Sequence, residues 1–564
     1  MKAQKIMSTD GSALAGTAQS LRPAAVASME ASEVCSWLNH SSFATELIQG
    51  EGTITGITMD SREVQAGDLY VALPGAKAHG AQFLSNAVKA GATAILTDSS
   101  GLELLVMERT PIAVLRCENL RAVVGPLSAK IYGSQPEGSS APKLFAVTGT
   151  NGKTTTTYMV NSIMQQLGHT TGLIGTIEIL AGGAAIPSKL TTPESPHVHS
   201  LISLMREQGI TSMAMEVSSH ALDYRRVDGV KYDIAGFTNL TQDHLDLHGS
   251  MENYCDSKAQ LFTSERTSRA VITVDDTWGE HMAQKASQAL GRENVAQLFT
   301  RYGSGFEELP ANLAPQDWAL TAVTRAGIGH SFTLVRGDGA KIQSSTQLPA
   351  DFNVSNAALA AVMVYETEPN PAALSEQLAK AETLTPIVPG RMQLISTEPT
   401  AIVDFAHNPD ALQRALEALE PAEEDGKVII VFGATGERDQ TKRPIMGDIA
   451  ARYADIVVVT DDDPHDEAPA PIRDEVEAGV QSAQKQGARV STILNIAPRS
   501  AAITRAFELA GPHDSVLVAG RGHEVAQEVA GVDLELDDRV EVARALHAQG
   551  YSVLDAYQVM IDEA

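Results

Sequence analysis

LFAVTGTNGKTTTTYMVNSIMQQLG, residues 144–168, reads as a strand, a glycine loop and a helix in immediate succession. The run Leu144–Thr148 is apolar and rich in strand formers, and no turn residue separates it from Gly149-Thr150-Asn151-Gly152-Lys153-Thr154. The residues that follow predict a helix ending near Gly168. A glycine loop between strand and helix leaves backbone N–H groups facing a phosphate, with the positive end of the helix dipole behind them. Lys153 then reaches toward terminal phosphates, and the Thr154 hydroxyl is placed to ligate Mg²⁺. The loop departs from the usual GxxxxGK[ST] pattern, because Val147 stands where the first glycine would be.

Outward from this segment the same rhythm repeats. SMAMEV, DIAGF and AVITV alternate with helical stretches in the middle of the chain, and AIVDF, KVIIVF, DIVVVT and SVLVAG do so near its end. Before it, LYVALPG and TAILTD behave alike. Short apolar runs alternating with amphipathic helices predict buried parallel strands in α/β layers. YGSQPEGSSAP at 132–142 and TPIVPG at 385–390 are dense in Gly, Ser or Pro and read as joints. The expectation is an α/β protein of three domains: an extension at 1–32, then domains at 33–138, 139–388 and 389–564. The central one would be a phosphate-loop ATPase-type parallel sheet and the last one Rossmann-like.

With 564 residues, several domains are required. Lys and Arg number 42 against 70 Asp and Glu, a net charge of −28, which argues against nucleic acid or an anionic membrane as the main partner. Three scattered cysteines, Cys35, Cys117 and Cys255, make neither a disulfide framework nor a zinc site, as a reducing cytoplasm would favour. No apolar run reaches 18 residues, so membrane insertion is not expected. The first 30 residues lack an apolar h-region and read as a flexible extension rather than a signal peptide.

Two further clusters could carry chemistry. Glu216 closes the strand SMAME, where open α/β sheets place ligand chemistry, although a strand-end glutamate is also an ordinary cap or surface residue. Thr238–Asp246 (TNLTQDHLD), with His248 behind it, concentrates carboxylates and imidazoles that suit a metal or phosphate site, or equally a solvated loop.

Together these segments resemble the Mur ligase family. GTNGKTTT, EVSSHAL, TNLTQDHLDLHG and YCDSKAQLF follow the order of its central ATPase domain. PGRM at 389–392, DFAHNP at 404–409 and GRGHE at 520–524 follow its last domain, and DSR at 60–62 with GDLYVALPG at 67–75 its uridine-diphosphate domain. The first-domain pattern and GRGHE point to the tripeptide-synthetase subgroup. The resemblance implies an ATP-dependent ligase, working with Mg²⁺, that adds an amino acid to UDP-MurNAc-L-Ala-D-Glu in peptidoglycan synthesis. It implies ATP contacts from Thr148, Gly149, Thr150, Asn151, Gly152, Lys153, Thr154, Arg391, Asp404 and Asn408. It also implies Lys153, Glu216, His244 and a carbamylated Lys258 as catalytic groups, with Thr154, Glu216, His244 and Lys258 as metal ligands. Ser61, Thr191, Thr192, Ser218 and Arg226 would contact the UDP-MurNAc-dipeptide. Arg438, Asp462, Asp463, His465, Gly520 and Glu524 would contact the amino acid.

Relatives that add meso-diaminopimelate carry Asp-Asn-Pro-Arg where this chain has Asp462-Asp463-Pro464-His465. Loss of the guanidinium and gain of a carboxylate predict a diamino acid without a distal carboxylate, L-lysine first and L-ornithine second, with meso-diaminopimelate as the alternative. A folylpolyglutamate-type ligase shares the ATP loop but not the first domain. A phosphate-loop kinase has no use for Lys258 or for a third domain. A monomer is the default expectation.

Overall fold

The computed structural model describes residues 22–105, 111–136, 141–181, 184–188, 190–326, 328–419, 426–437, 439–555 and 557–558. Most of the 1–32 extension, and Arg438, lie outside the described residues. Among the described residues no helix is long and apolar enough to cross a membrane.

Each block of the chain builds one main sheet. The first carries five strands in the order Thr45–Gln49, Ala113–Cys117, Ala94–Thr97, Asp68–Ala72, Gly56–Thr58, parallel except at the Thr45–Gln49 edge. The last carries six, with Gln393–Thr397 antiparallel at one edge and Thr400–Asp404, Ser515–Ala519, Val428–Phe432, Ile456–Val459 and Thr492–Asn495 parallel beside it. The apolar runs of the sequence fall on these strands, which are covered on both faces as parallel strands must be.

The central sheet has the expected parallel core and extends it at its edges. It has eleven strands, and antiparallel pairs extend it at both edges, Glu178–Ala181 with Ala184–Pro187 on one side and Gly329–Arg336 with Lys341–Thr346 on the other. Trp318–Ala326 and its neighbours alternate buried and exposed positions, the pattern of strands with one face in water. Within the parallel part, Lys143–Thr148 lies between Ser212–Glu216 and Tyr232–Phe237. The chain leaves Lys143–Thr148 toward one side of the sheet and returns on the other, so a crevice opens at its carboxyl end. The phosphate loop lies there, followed by the helix Lys153–Gln166.

Two glycines are required by that geometry. Gly149 has φ +146°, and a Cβ on it would lie 1.8 Å from Thr238 Oγ1. Gly152 has φ +88°, and a Cβ there would meet Asn356 Oδ1 at 2.3 Å.

Candidate active site

The loop is held from the neighbouring strand end. Asn239 Oδ1 accepts from the Asn151 N–H (3.1 Å), and the Thr238 hydroxyl donates to the Asn151 carbonyl (2.7 Å). Lys153 folds back over its own loop, Nζ donating to the Gly149 and Thr150 carbonyls at 3.0 and 2.9 Å. Burial pushes its ammonium below the usual lysine range, while Glu216 and Asp243 oppose the shift.

Glu216 is fully buried at the end of its strand. Its Oε1 accepts from the Thr176 N–H (2.8 Å) and its Oε2 from the hydroxyls of Thr154 (2.9 Å) and Thr176 (3.0 Å). The alternative of a surface cap is therefore excluded. Thr176 was not among the sequence candidates, since only the fold brings it to Glu216. His244 has φ +52° and packs edge-on to His220, ring centroids 4.8 Å apart. Loss of solvent around the ring, with His220 and Lys153 nearby, pushes its imidazole down to about 4 against the pull of Asp243, which leaves it neutral at pH 7.

Lys258 lies on the helix Met251–Ala259, one turn after Tyr254, and is 1% exposed. Its Nζ donates to the Gly149 carbonyl (2.9 Å) and sits 4.4 Å from the Tyr254 ring centroid. Burial, with Lys153 next, drives its amine well below the usual lysine range. A cavity of about 280 Å³ gathers Lys153, Thr154, Glu216, His244 and Lys258. Thr191 and Ser218 line it from the central block, and Arg391 and Asn408 from the last.

Thr192 takes a different place from the one expected of a ligand contact. It is fully buried, donating to the Glu216 carbonyl (2.8 Å) and accepting from the Ser218 N–H (3.2 Å), so it braces the wall that Thr191 and Ser218 present. Arg226 donates to Glu194 and to the Thr192 carbonyl. Ser61 lies apart, on an 800 Å³ cavity between the first and central sheets that Tyr70, Leu190 and His197 also line.

A second cavity, about 120 Å³, adjoins the loop and is lined by Asn151, Asn356, Arg391, Asp404 and His407. Arg391 lies over the Phe405 ring, 4.2 Å from its centroid. Asp404 accepts from the Met392 and Ala406 N–H groups (2.6 and 2.8 Å) and so fixes the joint at 389–392, although burial raises its carboxyl. Asn408 caps the helix Pro409–Glu417 through the Ala411 N–H.

The remaining candidates form an acidic wall in the last block. Asp463 accepts from the buried Arg521, and His465 Nδ1 lies 3.0 Å from Glu528 Oε2. Neither Arg521 nor Glu528 was among the sequence candidates, because they lie 58 and 63 residues away from these partners. Gly520 has φ +114°, and a Cβ there would lie 2.4 Å from Asp462 Oδ2. That oxygen is buried with no hydrogen-bond partner among the described residues. Burial, then Asp462 and Asp463, push the Glu524 carboxyl up to about 8, with Arg521 opposing.

Sequence patterns place these sites in a family. The Mur ligase middle domain matches residues 147–364, the Mur ligase glutamate ligase domain 390–522, and the Mur ligase family catalytic domain 53–132. A UDP-N-acetylmuramoyl-L-alanyl-D-glutamate–2,6-diaminopimelate ligase of Corynebacterium glutamicum is 40% identical over 88% of this chain and 92% of that protein. The chain belongs to the Mur ligase family. A UDP-N-acetylmuramyl-tripeptide synthetase of Leifsonia xyli subsp. xyli is 38% identical over 88% of this chain and 92% of its own length. A solved 2,6-diaminopimelate ligase structure superposes with TM-score 0.58 at 28% identity, covering 88% of this chain and 96% of that one. As a Mur ligase, the chain is an ATP-dependent amide ligase, and its three α/β blocks are the family's fold.

Mg²⁺ fits the oxygen pair at the loop. Thr154 Oγ1 and Glu216 Oε2 lie side by side at 2.9 Å. Among the described residues no group of three or more His, Cys, Asp or Glu forms a metal cage. One carboxylate and one hydroxyl, completed by phosphate oxygens and water, is the donor set Mg²⁺ takes in nucleotide sites.

Proposed function

We propose that this ligase joins a diamino acid to the D-glutamyl carboxylate of UDP-MurNAc-L-Ala-D-Glu, converting ATP to ADP and phosphate. The observation that carries the reading is the convergence of the phosphate loop, Glu216, His244 and Lys258 with Arg391 and Asn408 in one cavity. The loop amides and Lys153 hold the γ-phosphate, and the D-Glu carboxylate attacks it, releasing ADP and leaving an acyl phosphate. Charge spreading over the equatorial oxygens is met by Lys153 and the loop N–H groups. The neutral amine then attacks the acyl carbon, phosphate leaves, and the amine proton passes to solvent. Thr154 and Glu216, with His244 and a carbamylated Lys258, would hold Mg²⁺, which would supply further positive charge to the phosphates. Ser61, Thr191, Ser218 and Arg226 orient the UDP-MurNAc-dipeptide. Arg391, Asp404 and Asn408 complete the nucleoside side when the last block closes.

For the amino acid, Asp462 Oδ2, which has no hydrogen-bond partner among the described residues, and Glu524, whose Arg521 partner is 3.7 Å away, suit a substrate ammonium. Arg438, from outside the described residues, is proposed for the α-carboxylate. The diaminopimelate ligases among the relatives make meso-diaminopimelate the leading substrate, ahead of the L-lysine expected from the Asp463 and His465 replacements. The charge argument behind L-lysine is weakened because Asp463 is already neutralised by Arg521. One observation keeps L-lysine or L-ornithine as the second reading. Arg521 and Arg499 are committed to Asp463 and Asp538, and His465 to Glu528, so no described cation of this wall is left for a distal carboxylate.

ADP formation should require both UDP-MurNAc-dipeptide and an amino acid. Ranking meso-diaminopimelate, L-lysine and L-ornithine by kcat/KM decides between the readings. ADP release independent of the dipeptide would defeat both.

Glu524 also sets a pH dependence. Its carboxyl, raised to about 8, is largely protonated at pH 6.5 and ionised at pH 9, and only the ionised form pairs with an ammonium. The KM for the amino acid should therefore fall by up to about tenfold between those limits, and Glu524→Gln should flatten the profile. A Glu524→Gln enzyme with the wild-type profile would contradict this role.

A further inference from the structure

Asp410 occupies the first turn of the helix Pro409–Glu417 in the last block. An acid there suits the helix dipole, and its Oδ1 accepts from Arg414 Nε at 3.1 Å. Its second oxygen does something that local structure does not require. Oδ2 accepts from Asn151 Nδ2 at 2.8 Å and from the Thr241 hydroxyl at 3.3 Å, both across the joint in the central block. Asn151 is part of the phosphate loop, and its backbone N–H and carbonyl are already bonded to Asn239 and Thr238. The Asn151 side chain, whose Nδ2 also donates to Thr241 Oγ1 at 3.4 Å, is then the loop's handle toward the last block. A carboxylate next to a polyphosphate site is electrostatically unfavourable by itself, so its placement against two donors of the loop region calls for a reason.

We propose that Asp410 is a positioning residue that latches the closed last domain onto the phosphate loop through Asn151 and Thr241. Closure and loop order are then one event. With the contact made, Asn151 is fixed, the loop amides face the phosphates, and Arg391 and Asn408 stand over the same cavity. With the last domain open, the contact is lost and nucleotide affinity drops with it. Asp410 touches no reacting atom. The proposal rests on the ligase reading for its kinetic arm and is independent of it for its binding arm.

The test measures an ATP analogue with Mg²⁺ by calorimetry and, separately, steady-state kinetics. Asp410→Ala should weaken nucleotide binding and raise the KM for ATP roughly 10- to 100-fold, the worth of hydrogen bonds to a charged acceptor. UDP-MurNAc-dipeptide affinity, which needs no closure, should stay unchanged. Asp410→Asn keeps an acceptor for Asn151 and should recover most of the loss, whereas Asp410→Leu, which fills the space without an acceptor, should not. In an Asn151→Ala background, Asp410→Ala should add little. Unchanged nucleotide affinity in Asp410→Ala, additive effects in the double variant, or equal loss of dipeptide binding would each overturn the latch. If Asp410→Ala does not fold, Thr241→Val, which removes one of the two donors to Asp410, carries the same comparison. A wild-type enzyme without dipeptide-dependent ADP release would defeat the function and leave the nucleotide-binding result to judge the latch.

Discussion

Lys153→Ala should lower dipeptide-dependent ADP formation by about 10²- to 10³-fold, the scale on which removal of a preorganised charge-stabilising group acts. Lys153 Nζ rests on two loop carbonyls, 3.0 and 2.9 Å away, and lies in the cavity with Glu216 and Lys258. Burial lowers its pKa in the free protein, and incoming phosphates favour the charged ammonium that burial disfavours. Its stabilising effect is therefore greatest when phosphoryl charge is present. Lys153→Arg should not rescue, because a planar fork is too wide for a site that takes a compact ammonium between two carbonyls. The UDP-MurNAc-dipeptide is expected on Ser61, in a cavity apart from Lys153, with only its reacting end at the Thr191–Ser218 wall, so its affinity should largely persist. Calorimetry in which nucleotide and dipeptide affinities collapse together would show that the substitution unfolds the protein.

The phosphate loop is legible in the sequence because its signature is local: a strand, two glycines and a helix within 25 residues. Apolar runs likewise marked the parallel strands. Edge strands such as Lys341–Thr346 escaped, since one-sided burial leaves no continuous apolar run. The amino-acid wall was legible only as a string of charges. Reading Asp463 and His465 as added negative charge omitted Arg521 and Glu528, which sequence spacing cannot place beside them. Thr176 and Asp410 were invisible for the same reason. Each acts through a residue 40 and 259 positions away, respectively, and only the fold supplies the contact.

Lys258→Ala should also abolish most turnover, by about 10²- to 10³-fold, for a reason that an ordinary lysine would not supply. Lys258 is 1% exposed, yet among the described residues it makes no salt bridge, and its Nζ meets the Gly149 carbonyl oxygen and the Tyr254 ring face. Burying an ammonium so is costly, and the amine is correspondingly pushed well below the usual lysine range. A neutral amine is the form that adds CO₂, giving a carbamate and releasing one proton. Lys153, which as a neighbouring cation opposes the charged Lys258, would attract the carbamate anion. A carbamylated side chain would thus reverse an unfavourable charge pairing and offer two carboxylate-like oxygens to Mg²⁺. Bicarbonate or a short carboxylic acid added to Lys258→Ala should restore part of the activity by supplying that anion. Labelling wild-type protein with ¹³C-bicarbonate should produce a carbamate carbon resonance that Lys258→Ala lacks, a readout independent of turnover. Near wild-type turnover in Lys258→Ala, or the same labelled resonance in both proteins, would remove Lys258 from the mechanism and leave its burial to packing against Tyr254.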